Sequence, residues 1–251
     1  YVKFRPQETR KLTIGKQQMT VHGRLLAGAA APNDFSVREN GLSYHVDLVK
    51  DLNTGLFHDQ RLNRLEFRRL SANCHVLNLF AYTGAFSVAA AAGGAKQVTS
   101  VDVSGRYLEW ARKNFRLNQI DTESHEFVTG DCFSELDRLR KSGRHYDIVL
   151  MDPPSFSTTR RSRLTTSGGT AELVQKALAL LKEGGLLVAS SNLQKMPLES
   201  YLKELRKGSL AVGCRLQVIK VAGQAEDFPF LTTFPEGNYL KYVVSVVQKI
   251  L

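Results

Sequence analysis

From residue 74 onward, short runs of apolar residues alternate with longer stretches in which apolar side chains recur every three or four residues. Short apolar runs predict buried strands, and the longer period predicts helices that pack by one face. Alternation of the two is typical of βαβ units, whose strands lie parallel in one sheet. The pattern therefore predicts an α/β fold with a Rossmann-like, doubly wound, mostly parallel sheet.

Seven strands are predicted in that sheet. They cover residues 75–80, 97–103, 125–130, 146–151 and 186–190, followed by two strands near 215–221 and 239–247 that form a C-terminal antiparallel hairpin. Helices are predicted between them, with one capped by Ser104 and another carrying an apolar stripe from Leu173 to Leu181. The strand at 146–151 must stop at the following Asp-Pro-Pro, because proline cannot donate to a sheet.

Residues 1–55 depart from this pattern. They have mixed polarity, with strand-like pieces at 19–26 and 42–48, and predict a small β-rich extension ahead of an α/β domain covering 56–251. Since the first residue is Tyr1 and not Met, we expect the chain to be one part of a longer protein.

Composition narrows the function classes. With 43% hydrophobic and 23% charged residues the chain can bury a core, which excludes general disorder. Lys and Arg number 34 against 24 Asp and Glu, and this formal charge of +10 favours a polyanionic partner such as nucleic acid. The three cysteines are far apart and form no CxxC pair, which predicts a reduced, cytoplasmic compartment and no cysteine-ligated metal. No run approaches the roughly 18 apolar residues that span a membrane.

Candidate chemistry lies in the loops after the strands, because doubly wound sheets bind ligands beyond the carboxyl ends of their strands. The first loop, 78–84, has one glycine, Gly84, where a dinucleotide fold would have G-x-G-x-x-G. Asp102 follows the second strand at the position that binds ribose hydroxyls, and Asp131 follows the third, where it could accept from an exocyclic amine. Two acids without a phosphate cradle favour a nucleoside cofactor that lacks phosphate, namely S-adenosylmethionine.

Six segments also resemble, in order, the motifs of class I S-adenosylmethionine-dependent methyltransferases of the bacterial 23S rRNA type. They are Thr-Gly-Leu-Phe-His-Asp-Gln-Arg at 54–61, Leu-Asn-Leu-Phe-Ala-Tyr-Thr-Gly at 77–84, Ser-Val-Asp-Val-Ser at 100–104, Gly-Asp-Cys at 130–132, Asp-Pro-Pro-Ser-Phe at 152–156 and Phe-Pro-Glu-Gly-Asn-Tyr-Leu-Lys at 234–241. The resemblance extends over about residues 40–248. It is greater to the guanine-N7 half of a fused two-methyltransferase protein than to the 5-methylcytidine branch.

The resemblance implies a set of site residues. Those expected at the cofactor are Gln60, Arg61, Phe80, Tyr82, Thr83, Gly84, Asp102, Val103, Asp131, Cys132 and Asp152. Within this set, the turn at 80–84 would wrap the methionine end, Asp102 would hold the ribose, and Asp131 with Cys132 would lie beside adenine. Asp152, Pro153 and Pro154 would face the transferring methyl, with Phe156 stacking on an extruded base.

The choice of target atom depends on cysteine. Carbon-5 of a pyrimidine becomes nucleophilic only after a thiolate adds at carbon-6, whereas guanine N7 already has a lone pair in the ring plane. At the two positions where 5-methylcytidine enzymes carry that cysteine, this chain has Ser155 and the segment Ser190-Ser191-Asn192. The sequence therefore favours guanine N7, with Asp152 accepting from guanine N1–H and N2–H, and leaves cytosine C5 as the alternative.

The expected partner is ribosomal RNA or a pre-ribosomal particle, without metal or membrane. Arg160, Arg161 and Arg163, in the loop after the Asp-Pro-Pro segment, and Asn192 are the candidate RNA contacts. An RNA-binding or second methyltransferase domain is expected upstream of this chain. A nicotinamide oxidoreductase and a non-catalytic RNA-binding assembly factor are the alternatives from other classes.

Overall fold

A computed structural model of the chain describes residues 1–3, 23–50, 53–154 and 169–250. The chain divides into two compact units, Tyr1–Phe57 and His58–Leu251, which we describe separately. In the described residues, no helix is both long and apolar enough to cross a membrane.

The first unit contains a small antiparallel hairpin. Its strands are β1 (Ser36–Glu39) and β2 (Leu42–His45), joined by Asn40 and Gly41, both with positive φ. Two residues of this conformation form the turn that suits a two-residue hairpin. The predicted strand at 42–48 is too long, since the Asp47 carboxylate accepts from the N–H groups of the two residues just beyond it and turns the chain. Of the piece predicted at 19–26, the described part forms one isolated bridge, from Arg24 to Val2.

The second unit contains the predicted seven-stranded, mostly parallel sheet. The strands are β3 (His75–Leu79), β4 (Gln97–Asp102), β5 (Glu126–Thr129), β6 (Tyr146–Met151), β7 (Leu181–Ser191), β8 (Cys214–Ala222) and β9 (Lys241–Lys249). They lie in the order β5-β4-β3-β6-β7-β9-β8, and β9 runs antiparallel to both of its neighbours. The predicted sheet and its antiparallel C-terminal hairpin are confirmed.

Six α-helices are described around the sheet. They are α1 (Arg61–Leu70), α2 (Ala85–Ala92), α3 (Gly105–Leu117), α4 (Cys132–Lys141), α5 (Gly169–Leu178) and α6 (Leu198–Leu210), with short 3-10 turns at His58–Gln60 and Pro235–Gly237. The predicted cap is present, because the Ser104 hydroxyl accepts from Tyr107 N–H at 3.4 Å. Asp131 caps α4 in the same way, accepting from Ser134 N–H at 3.1 Å.

Apolar residues of alternate strand positions pack on opposite faces of the sheet. Leu77, Val149 and Leu187 belong to the core cluster on one face. Val76, Ile148 and Val188 belong to the cluster on the other. Both faces are therefore covered, as a doubly wound sheet requires.

The predicted extent of the fifth helix is wrong at its C-terminal end. Its apolar stripe continues in sequence to Leu181, but α5 ends at Leu178 and Leu181 begins β7, paired with Tyr146. The backbone N–H of Tyr146 donates to Leu180 O at 2.9 Å, so this apolar segment joins the sheet ladder. A short apolar segment such as this one fits the last turn of a helix and the start of a buried strand equally well, so hydrophobicity alone does not distinguish the two.

Candidate active site

The candidate residues meet at the carboxyl edge of the sheet. Leu79 pairs with Val101 and with Met151, and Met151 pairs with Ala189, so the parallel strands end at a common edge. Ser191 pairs with Lys241, which brings the start of β9 to the same edge. The loops that carry the predicted motifs therefore lie side by side.

The turn after β3 has an unusual backbone. Phe80, Tyr82 and Gly84 all have positive φ, at 59°, 51° and 73°. For the two aromatic residues this costs of order 1–3 kcal/mol each, and such strain clusters at ligand clamps. A Cβ at Gly84 would lie 2.6 Å from the Cβ of Ala111, so α2 and α3 pack too closely there for any larger residue.

Asp102 holds this turn in place. Its Oδ2 accepts from Tyr82 N–H and its Oδ1 from Ser104 N–H, both at 2.9 Å. Burial raises the pKa of Asp102 despite these two bonds. The carboxylate is thus oriented by two backbone donors, and a carboxylate oxygen that accepts one hydrogen bond keeps acceptor capacity toward a hydroxyl.

Three other predicted cofactor residues, Thr83, Val103 and Cys132, differ in burial and in their contacts. Thr83 is fully buried, and its carbonyl accepts from the Asn114 side chain at 2.9 Å, so it anchors the turn to α3. Val103 is exposed beyond β4. The Cys132 side chain is 1% exposed within the core, and burial raises the pKa of its thiol well above the usual value.

Gln60 contacts the Asp-Pro-Pro segment. Its Nε2 lies 2.9 Å from Ser190 Oγ and 3.4 Å from Asp152 Oδ2. Its Oε1 accepts from Asn63 Nδ2 at 2.7 Å, which fixes the amide so that its N–H groups face the carboxylate. Gln60 therefore bridges Asp152, which follows β6, and Ser190, near the end of β7.

Asp152 has a carboxyl group tuned toward neutrality. Burial, together with the charge of Asp59, raises its pKa to about 6, although hydrogen bonds from Ser190 and Gln60 and the charge of Arg64 oppose the shift. A carboxyl group with a strongly raised pKa at a strand end, in a cluster of loops, is typical of a functional site.

A second acid, Asp59, lies near enough to Asp152 to act on its charge, and it was not predicted as a site residue. It is 9% exposed; Tyr239 OH donates to its Oδ2 at 2.8 Å, and Ala225 N–H donates to its backbone carbonyl at 3.3 Å. Asp59 lies in the motif at 54–61 and Tyr239 in the motif at 234–241, but a pairing across 180 residues leaves no local signal in one sequence. Arg61, predicted near the cofactor, forms an ion pair with Asp227 at 2.7 Å.

Phe156, Arg160, Arg161 and Arg163 lie outside the described residues. Pro153 is partly buried and Pro154 exposed at the end of β6, and Asn192 is exposed beyond β7. In the described ranges, no three side chains of His, Cys, Asp or Glu group as metal ligands would.

This sheet order, with acids at the carboxyl edge and no glycine-rich phosphate loop, defines a Rossmann-like enzyme fold for a nucleoside ligand. The sequence profile of the S-adenosylmethionine-dependent methyltransferases matches residues 17–225. The chain belongs to that family.

Particular relatives agree with this assignment. The chain is 37% identical over 226 residues to the ribosomal RNA large subunit methyltransferase I of Yersinia pseudotuberculosis serotype O:1b (strain IP 31758), a match that covers 90% of this chain and 57% of that protein. The crystal structure of SMU.776 complexed with SAH has a TM-score of 0.83 and 36% identity, over 88% of this chain and 58% of that one. TYW2 of M. jannaschii, in complex with AdoMet, has a TM-score of 0.64 at 17% identity and shares the fold, over 90% of each chain. The chain thus spans little more than half the length of the Yersinia methyltransferase and of SMU.776.

Proposed function

We propose that this chain transfers a methyl group from S-adenosylmethionine to guanine N7 in large-subunit ribosomal RNA, in the cytoplasm. Family membership supports the reaction class. The relative named above acts, by its name, on large-subunit ribosomal RNA, and the formal charge of +10 suits such a substrate. The observation that carries the choice of atom is the position of the three thiols.

No thiol is available at the Asp-Pro-Pro segment, and all three cysteines of the sequence are described. Cys74 precedes β3 and Cys214 begins β8 opposite Lys249, so both lie at the amino edge of the sheet, away from Asp152. Cys132 is nearer, but it is buried in the core with a raised pKa, so its thiolate form is disfavoured. The site therefore lacks a thiolate that could add to carbon-6 of a pyrimidine. Methylation of guanine N7 does not require such a nucleophile from the protein.

The described residues fit the adenosyl cofactor. Asp102 offers oriented acceptors for the ribose hydroxyls, and the strained turn at 80–84 offers backbone groups beside the methionine end. Asp131, which caps α4, would lie beside adenine. The bound cofactor supplies an electrophilic methyl on a sulfonium, and the protein has to place an aligned lone pair in line with it.

Asp152 then positions the base. Its ionised carboxylate would accept from guanine N1–H and N2–H, while Gln60 and Ser190 hold it in place. Two parallel hydrogen bonds fix the plane of the base and so the direction of the N7 lone pair. Because the pKa of Asp152 is about 6, the carboxylate is mostly ionised at pH 7.

The decisive experiment compares the modified nucleosides of large-subunit rRNA from a strain lacking the gene and from the same strain with the gene restored. We expect 7-methylguanosine to disappear at one position and to return on complementation, but not with Asp152→Ala. A lost 5-methylcytidine, or a covalent complex with 5-azacytidine-containing rRNA, would instead support the cytosine reaction. Unchanged rRNA would leave the assembly-factor alternative, and NADH binding without S-adenosylmethionine binding would support an oxidoreductase.

A further inference from the structure

An ordered group of exposed apolar side chains lies at the same edge of the sheet as Asp152. Phe228, Phe230, Leu231 and Phe234, which we call the aromatic rim, lie in the connection between β8 and β9. Ala222 pairs with Tyr242, so this connection leaves and re-enters the sheet at the carboxyl edge. Leu231 is 69% exposed and Phe234 57%, which is unusual for side chains of their size.

The backbone beneath these side chains is held firmly. Phe228 N–H donates to Ala225 O at 2.9 Å and Phe234 N–H to Leu231 O at 2.9 Å. Gln224 donates to Gly237 O, and the Gln194 side chain donates to Glu236 O at 3.0 Å, which ties both ends of the connection down. The exposed rings are thus presented by a fixed loop.

Hydrogen bonds connect the aromatic rim to the candidate active site. Asn63 Nδ2 donates to Gly223 O at 3.1 Å and also to Gln60 Oε1, whose amide N–H faces Asp152. Tyr239, which packs edge-on against Phe228, donates to Asp59. The rim is therefore a continuation of the wall that positions Asp152.

Charge indicates what this surface can contact. Residues 223–240 contain no Lys or Arg and three acids, Glu226, Asp227 and Glu236. Arg61 neutralises Asp227 through the ion pair already described. Such a loop does not attract phosphates, but its rings can stack on bases, which present a π-face whatever their sequence.

We propose that the aromatic rim stacks on the unpaired nucleotides that flank the target base in single-stranded rRNA. The inference rests on the proposed RNA substrate. Turning a base out toward Asp152 leaves its neighbours without a stacking partner, and aromatic side chains at the entrance replace that contact. Phe234, as the most exposed of the rings, contributes most.

The test measures methyl transfer to rRNA taken from large subunits that lack the modification. Phe234→Leu keeps an apolar side chain and loses the ring, whereas Phe234→Tyr keeps the ring. We expect Phe234→Leu to raise KM for RNA about fivefold or more, as loss of one stacked base does, and Phe234→Tyr to stay within about twofold of the wild type by the same reasoning. The KM for S-adenosylmethionine should not change, and the salt dependence of KM for RNA should keep its slope, because no phosphate contact is lost.

Leu210→Ala is the control variant. Leu210 is an apolar side chain that is 50% exposed, but it lies at the amino edge of the sheet, where α6 leads into β8. Equal KM values for wild type and Phe234→Leu would overturn the proposal. So would a loss in Phe234→Tyr with none in Phe234→Leu, since that pattern fits an apolar contact with a second copy or another protein. If the wild-type chain transfers no methyl to rRNA at all, it is the proposed function that fails.

Discussion

An aspartate lies at each end of strand β6, Asp147 inside it and Asp152 directly after it, and the two have opposite surroundings. Asp147, at the amino edge, accepts from Lys182 Nζ at 2.6 Å and from His75 N–H at 2.8 Å. Burial raises its pKa, but these donors outweigh burial and leave the pKa lower than usual. Asp152, at the carboxyl edge, has its pKa raised to about 6 by burial and by Asp59.

The contrast separates stabilising acids from reactive ones. At the amino edge a second acid also receives hydrogen bonds from a cation, since Arg144 donates twice to Glu126, at 2.6 and 2.9 Å. At the carboxyl edge, Asp152 receives neutral donors, from Gln60 and Ser190, and lies near a second acid. Of these two aspartates, only Asp152 has surroundings that disfavour its charge, and it lies at the edge where we propose that the base binds.

The largest expected effect tests this contrast on activity. Asp152→Ala should lower the methyl-transfer rate by about 100-fold or more, because it removes the group that orients the base. Asp147→Ala should leave the rate within about twofold, since it affects only the amino edge. Single-turnover rates at saturating RNA and cofactor measure both, and equal losses in the two variants would contradict the assignment.

A second variant tests whether Gln60 acts through Asp152. Gln60→Leu should lower the rate about tenfold, which corresponds to one lost hydrogen bond to a charged group. Gln97→Leu is the control, because Gln97 also holds a charged group, Arg144 at 3.2 Å, but at the amino edge. The acid limb of the pH–rate profile should move to higher pH in Gln60→Leu, because that amide stabilises the ionised carboxylate. If Gln60→Leu lowers the rate but leaves the acid limb at the same pH, Gln60 has a structural role and does not act through the charge of Asp152.

The same profile tests the charge of Asp59. The rate of the wild type should fall as pH decreases through about 6, where Asp152 becomes protonated. Asp59→Asn removes the negative neighbour and should shift this limb to lower pH. The other groups facing Asp152 are Ser190, the cation Arg64, and the tyrosines Tyr201 and Tyr242, whose pKa values are raised and which stay neutral in this range. A limb that stays in place in Asp59→Asn would show that the two acids are not coupled.

The sequence was most informative about the sheet and its edge. Apolar runs such as 148–151 can be recognised as parts of buried strands, and the residues after parallel strands meet at the carboxyl edge. The contacts of Gln60 with Asp152 and of Asp59 with Tyr239 could not be predicted, because each joins residues far apart in sequence. The end of α5 was missed for a different reason, since both Leu180 and Leu181 fit a helical stripe and a buried strand equally well.

The smallest expected effect is on stability, and its sign differs between the two aspartates. In the unfolded chain an aspartate titrates near 3.9. The folded state holds the Asp152 proton more tightly, so ionisation costs stability as pH rises from about 4 to about 6, and Asp152→Asn should raise Tm at pH 8 by about 2 °C or more. The pKa of Asp147 is lower in the folded state than in the unfolded state. Its ionised carboxylate therefore stabilises the fold at pH values above the unfolded pKa, and this stabilisation is lost as pH falls through the folded pKa. Asp147→Asn should therefore lower Tm at pH 8, and the difference from wild type should vanish in acid. Calorimetric scans of both variants from pH 8 down to about pH 2 check this, and shifts of the same sign at pH 8 would mean that the two ends of β6 do not differ as described.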